Sequence, residues 1–280
     1  MEHRATDAWE RLLDVVAGRR IVVLAGAGCS TESGIPDYRG TGAPRRRAPV
    51  QYQEFMRSRS ARARYWARST IGWPRMRAAL PNAGHRALAR MEQSGHVSGL
   101  ITQNVDGLHH VAGSRRVVEL HGSLSAVRCV DCGEVVSRDA FQDRLLDLNA
   151  DWPPLDRTDR VASAPDGDAD LSDPLLASFR VPECDACDGI MKPHVVFFGE
   201  NVPATVVGEA WSVFEDGDVL LVTGSSLAVF SGRRFVYRAC RDGVPIAIIN
   251  RGPTRADEAA AAKVDGALGT VLPALADALD

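Results

Sequence analysis

The feature that most restricts the fold is a run of five apolar residues, Ile21-Val22-Val23-Leu24-Ala25, that passes directly into Gly26-Ala27-Gly28-Cys29-Ser30. A short, β-branched apolar run reads as a strand buried on both faces. Strands of that kind belong to parallel sheets covered by helices on each side. The glycines let backbone N–H groups approach a pyrophosphate, and the following helix N-terminus favours its charge. The same glycines also suit a plain tight turn. Thr31 replaces the third glycine of the dinucleotide fingerprint and no acid follows about 20 residues on, which disfavours a hydride-transferring dehydrogenase.

The rest of the chain keeps the alternation that such a strand implies. Trp9, Leu12, Leu13, Val16 and Ala17 share one helical face, closed by Gly18. A helix is expected from Asn82 to Ser94, stopped by Gly95, and then a strand ending in Ile101-Thr102-Gln103-Asn104. Val195-Val196-Phe197-Phe198, Val219 to Val222 and Ile246 to Ile249 read as further buried strands, the last two separated by a helix around Arg233 to Arg241. The pattern predicts an α/β fold with a doubly wound parallel sheet, Rossmann-like, over residues 1–40, 82–124 and 195–280. A helical insertion at 41–81 and a cysteine-bearing module at 125–194 are expected to form a smaller domain.

Charge is uneven although the net value is only −3, so no whole-molecule attraction to nucleic acid or anionic lipid is expected. Arg39 to Arg77 holds eleven arginines and one acid, and Asp143 to Asp173 holds nine aspartates against three arginines; each reads as a solvated face. No stretch approaches the roughly 20 apolar residues of a membrane span, and acids interrupt the N-terminal segment, so a cytoplasmic location is expected. Four of the six cysteines form Cys129-x-x-Cys132 and Cys184-x-x-Cys187. Paired in this way in a long chain, they point to four thiolates closing a tetrahedral structural zinc site. Cys29 and Cys240 are left over as buried small side chains.

Gly26 to Arg39, with its Gly-Ile-Pro-Asp-Tyr-Arg ending, closely resembles the cofactor segment of the sirtuin family. Thr102-Gln103-Asn104-Val105-Asp106, His121-Gly122, both cysteine pairs, Phe198-Gly199-Glu200, Gly224-Ser225-Ser226 and Ile249-Asn250 follow in that family's order. Arg64-Tyr65-Trp66-Ala67-Arg68 and Ala164-Pro165-Asp166-Gly167-Asp168 resemble its class II branch. The resemblance implies NAD-dependent removal of acyl groups from protein lysines, with NAD and one structural zinc as cofactors and acylated proteins or peptides as partners. In that reaction the acyl oxygen attacks C1′ of the nicotinamide ribose, nicotinamide leaves, and an O-alkylimidate links substrate to ADP-ribose. His121 then acts as general base, a task suited to a group titrating near neutrality, and 2′-O-acyl-ADP-ribose results.

The same resemblance distributes the other roles. Asn104 and Asp106 join His121 in catalysis and bind the nicotinamide ribose and amide. Gly26, Ala27, Gly28, Ser30, Thr31, Ile35, Pro36, Asp37, Tyr38, Arg39 and Gln103 line the rest of the nicotinamide and phosphate site. Gly224, Ser225 and Ser226 are expected at the carboxyl edge of the sheet, and Asn250, Arg251, Gly252 and Leu268 towards the adenosine end. Val195, Phe198, Gly199, Glu200, Leu227 and Val229 should flank an extended peptide by strand addition. Tyr65 and Arg68, three apart, resemble a pair that holds acidic acyl groups, while packing for Tyr65 and Trp66 with a solvated Arg68 is the plainer alternative. His109 and His110 are expected on a helix surface or as caps. An ADP-ribosyltransferase and a non-catalytic NAD sensor are the competing functions.

Overall fold

The computed structural model describes residues 2–37, 50–152 and 178–280. Helix α1 (Glu2–Val16) leads into strand β1 (Ile21–Ala25), which ends in a 3₁₀ turn over Ala27–Ser33. Helices α2 (Tyr52–Arg57), α3 (Arg59–Arg77) and α4 (Ala83–Gln93) precede β2 (Val97–Thr102), the short α5 (Leu108–Val111) and β3 (Val117–Glu119). Next come β4 (Gly122–Cys129), β5 (Val135–Ser137), α6 (Arg138–Leu148) and β6 (Met191–Val195). The chain closes with α7 (Ala204–Glu215), β7 (Val219–Thr223), α8 (Phe230–Asp242), β8 (Ile246–Ile249), β9 (Ala262–Val264) and α9 (Leu268–Leu279).

Six strands form one parallel sheet in the order β3-β2-β1-β7-β8-β9. Alternation along β1 shows why it must be covered twice. Ile21, Val23 and Ala25 pack with Leu12 and Val16 of α1, Leu88 and Met91 of α4 and Leu272 and Leu275 of α9. Val22 and Leu24 point the other way, onto Val213 and Phe214 of α7 and Phe235 and Val236 of α8. The order reverses between β1 and β7, so their carboxyl ends open the crevice where doubly wound sheets bind ligands.

A second, antiparallel sheet, β5-β4-β6, packs with α2, α3 and α6 around Phe55, Tyr65, Trp66, Phe141 and Phe197. The expectation of a large-sheet strand over Val195–Phe198 is corrected here. Val195 ends β6 and pairs with Gly122 in the small sheet, and Phe198 pairs with Gln51 in an isolated bridge. Four adjacent apolar residues cannot distinguish a strand buried in a parallel sheet from one entering a second core.

Gly122 opens β4 where it pairs with Val195 in this second sheet. It has φ +74°, and a Cβ there would lie 2.1 Å from the His194 carbonyl oxygen. Gly122→Ala is expected to cost at least about 2–3 kcal/mol in denaturant unfolding. Gly18→Ala, at φ +68° with open space around it, should cost only about 1 kcal/mol, the left-handed backbone term alone.

Candidate active site

Two turns meet at the crevice. The Gly26 N–H donates to the Thr223 carbonyl at 2.9 Å and the Gly28 N–H to the Gly224 carbonyl at 2.8 Å. A side chain at Gly28 would stand 2.8 Å from the Gly224 Cα, so the approach admits only glycine. Asn82 caps α4 by accepting from the Gly84 and His85 N–H groups, and its amide also donates to the Cys29 carbonyl (2.7 Å) and the Ser33 hydroxyl (3.0 Å). The 3₁₀ turn is thus anchored to the next helix.

Buried Ser30 and Asn104 form one network with Asp106. The Ser30 hydroxyl donates to Asp106 at 2.6 Å, and the Asn104 amide donates to the Gly26 carbonyl and Ser30 Oγ, both at 3.1 Å. Asp106 also accepts from the Leu108 N–H at 2.9 Å, which holds the carboxylate at the start of α5. Gln103 donates to Ser225 Oγ at 2.9 Å, bridging β2 to β7. Ile35 is buried beside the small-domain core, Thr31 bonds back to Gly28, and Ala27, Pro36 and Asp37 are half-buried. Tyr38 and Arg39 lie outside the described residues.

His121 follows β3 and is held at both ring nitrogens. Nδ1 lies 2.9 Å from the Gln103 carbonyl, and Nε2 lies 2.7 Å from Ser231 Oγ. A carbonyl only accepts, so Nδ1 carries the proton and Nε2 presents its lone pair, accepting from Ser231. Burial pushes the imidazole below its ordinary value, the Gln103 bond opposes this, and nearby Arg234 adds to the depression. The ring is therefore a neutral base at pH 7. Ser231 was not singled out from the sequence; its only signal is its place two residues after Val229, at the start of α8.

After β8, Asn250 turns its amide onto the Arg251 and Gly252 carbonyls (2.8 and 3.2 Å), shaping the loop that follows. Leu268 opens α9 and packs against Gly224, and Ser226 accepts the Arg255 N–H through its carbonyl. Leu227 is buried at φ +56°, with its N–H donating to Ser225 Oγ at 3.2 Å. Half-buried Val229 is the N-cap of α8.

Across the crevice, the Phe198 carbonyl accepts from the Tyr52 N–H and the Gly199 carbonyl from the Gln53 amide, both at 2.9 Å. Glu200 is turned inward, accepting from the Phe197 N–H at 2.8 Å and pairing with buried Lys192 at 3.0 Å. Tyr65 is 2% exposed, edge-on to Phe55, Trp66 and Phe197. Arg68 is buried as well, which corrects the expectation of a solvated arginine. His109 is also buried rather than on a surface, 4.7 Å from the His85 ring, whereas His110 is exposed near Glu119. Cys29 is buried, its thiol pushed up to about 11 by burial, but Cys240 is exposed.

Cys129, Cys132, Cys184 and Cys187 converge, with all four sulfurs within 4.8 Å of one another. The Cys129–Cys187 and Cys132–Cys184 separations of 3.6 and 3.7 Å match the roughly 3.8 Å edge of a tetrahedron with Zn–S bonds of about 2.3 Å. The Cys132 N–H, 3.5 Å from the Cys129 sulfur, draws that thiol down to about 7, while contact with Cys132 drives Cys187 up to about 12. Four such thiols cannot ionise together without a cation, so the set fits one structural zinc with no open position. Cys129 and Gly122 lie at opposite ends of β4, about 23 Å apart at ~3.3 Å per residue.

Two outcomes follow from these geometries. Elemental analysis should find one zinc per chain, and Cys184→Ser should lose it and unfold the small sheet, seen as lost protection in hydrogen exchange. Separately, burial lowers the values of His85, His109, His121 and His194. Below about 6.5 the unfolded chain binds protons that the folded chain does not, so stability present above that pH is lost as pH falls. Glu119, which burial raises to about 7 with help from Asp106, works oppositely: the stability its folded protonation contributes is lost as pH rises towards 7. The lowered histidines outnumber Glu119, so net stability is expected to fall as the pH drops from 6 to 5. Urea unfolding across that range should show it, with a shallower slope in His109→Gln.

Comparison with known proteins adds independent findings. The family model described as Sir2 family matches residues 26–231. The chain is 51% identical over 271 residues to the NAD-dependent protein deacetylase 1 of Mycobacterium avium (strain 104), covering 96% of this chain and 94% of that protein. It is 52% identical over 248 residues to the NAD-dependent protein deacetylase of Xanthomonas axonopodis pv. citri (strain 306), covering 88% and 83%. The solved structure described as "Sir2-p53 peptide-NAD+" matches with a TM-score of 0.75 at 30% identity, covering 96% of this chain and 97% of that one. Since the family model matches the greater part of the chain, from the Gly26 turn to Ser231, and the relatives share about half of its residues, the chain belongs to the Sir2 family.

Proposed function

We propose that this protein is an NAD-dependent protein-lysine deacetylase whose general base is His121. The observation that carries the reading is the imidazole itself. It is neutral, half-buried, and fixed with Nε2 as its basic face, near the Ser30-Asn104-Asp106 network at the open end of the sheet. Relatives named NAD-dependent protein deacetylases, and a solved relative described with a p53 peptide and NAD+, support the same substrate and cofactor.

The turn at Gly26–Gly28 offers the close backbone approach a pyrophosphate needs, and the Ser225–Gln103 bridge fixes the opposite wall. NAD, when bound, supplies an electrophilic ribose carbon with a cationic leaving ring. Asp106 is suited to accept N–H bonds from a carboxamide, and its negative charge favours a cationic group nearby. His121 takes a proton at Nε2, where the Ser231 hydroxyl now sits, so Ser231 must yield that position to a substrate hydroxyl. Burial keeps the base unprotonated at neutral pH.

Acetyl is the acyl group proposed, because the named relatives are deacetylases; Tyr65 is enclosed by aromatic rings in the core of the smaller lobe, and Arg68 is buried on the same helix. The paired thiols, read as metal ligands rather than disulfides, suit a reducing compartment such as the cytoplasm. Incubation with NAD and an acetyl-lysine peptide should release nicotinamide and 2′-O-acetyl-ADP-ribose, detected by mass spectrometry. His121→Ala should keep NAD binding and lose deacetylation by ~10²–10⁴-fold; a wild-type rate in that variant would overturn the assignment.

A further inference from the structure

Helix α8 carries four arginines, and they divide into two pairs. Arg238 is bound by Asp242 and lies 3.4 Å from Glu215, and Arg241 lies 2.8 Å from Asp242. Arg233 and Arg234, nearer the start of the helix, meet no carboxylate and form no side-chain hydrogen bond among the described residues. Each guanidinium lies over an aromatic ring, Arg233 at 5.6 Å from Tyr237 and Arg234 at 5.5 Å from Phe230. Their Nε atoms are covered and unpartnered. Phe230 and Tyr237 are themselves 58% and 54% exposed, with ring centres 6.3 Å apart.

This placement does nothing for the helix. Cations are disfavoured near a helix N-terminus, where the macrodipole is positive, and α8 holds no acid in its first turn to offset them. The aromatic rings instead hold both guanidinium planes in place, which lowers the entropy lost when a planar anion docks. The patch also adjoins the site. Ser231, between Phe230 and the arginines in sequence, is bonded to His121, and α8 starts directly after Leu227-Ala228-Val229.

We infer that Phe230, Arg233, Arg234 and Tyr237 form a docking surface for acidic residues that flank the acyl-lysine of a protein substrate. The occupant is a carboxylate because two fixed, unpaired guanidinium forks match that group bidentately. A flanking residue is favoured over the acyl group itself because Phe230 and Tyr237, which frame the arginines, are exposed, whereas the His121 ring is held at both nitrogens by Gln103 and Ser231. The surface selects among proteins, and it rests on the deacetylase reading above for the position of the lysine.

The test uses full-length protein and three fluorescent peptides: acetyl-lysine with Asp and Glu flanks, the same peptide with Asn and Gln flanks, and a glutaryl-lysine peptide with neutral flanks. Fluorescence anisotropy should show the acidic-flanked peptide binding about five- to tenfold more tightly than its neutral match, a ratio that shrinks with added salt. In Arg233→Gln/Arg234→Gln, and to a lesser degree in Arg233→Gln alone, the ratio should fall towards one. Equal binding of the two acetyl peptides by wild type, an unchanged ratio in the double variant, or a gain confined to the glutaryl peptide would each overturn the proposal. So would a variant that loses NAD affinity instead, since the arginines would then serve the cofactor. Arginine-dependent preference without nicotinamide release sustains the surface and sinks the deacetylase reading; turnover without preference does the reverse.

Discussion

The close approach of two backbone turns, Gly26–Gly28 after β1 and Gly224 after β7, is the constraint on which the rest of the site depends. Neither turn could carry a side chain at the contact, since a Cβ on Gly224 would lie 2.5 Å from the Cys29 nitrogen and one on Gly28 would lie 2.8 Å from Gly224. The two N–H bonds between them set the width of the crevice at the switch point of the sheet. The polar groups of the site are bonded to these turns or to residues that are. Asn82 holds the first turn from α4, Asn104 and Ser30 hold it from beneath, and Gln103 bridges to Ser225 on the second.

His121 inherits its geometry from the same frame. Its Nδ1 proton goes to the carbonyl of Gln103, the residue whose side chain joins β2 to β7, so the base is aligned by the backbone that defines the crevice. Burial then does the chemical tuning, because removing an imidazole from water disfavours its cation. Both of its ring nitrogens are matched donor to acceptor, which is what a low-dielectric site requires of them.

The smaller lobe works by a different principle. Its three short strands and aromatic cluster make a modest core, and the convergence of four thiols supplies a cross-link that a sheet of this size needs. Lys192 shows how a buried charge ties down the segment that follows its strand. Buried in β6, it pairs with Glu200, and burial lowers its value while Glu200 opposes the shift. Glu200 thereby fastens the segment after β6, where the Phe198 and Gly199 carbonyls are taken up by Tyr52 and Gln53.

The sequence alone determined the parallel sheet, the turn chemistry and the metal site, because each depends on local pattern: β-branched runs at Ile21–Ala25 and Ile246–Ile249, glycines where backbones must meet, and cysteines at knuckle spacing. Resemblance over the same segments pointed to His121, Asn104 and Asp106. Tertiary structure alone decided what those residues touch. The partnership of Ser231 with His121 spans 110 residues, and the inward turn of Glu200 is set by a lysine in another strand. The same holds for Val195, which left the large sheet for the small one, and for His109 and Arg68, whose burial no helical periodicity announced. Local pattern fixes which backbone conformation is cheapest, but a side chain's partner is chosen by whatever distant surface the fold brings against it.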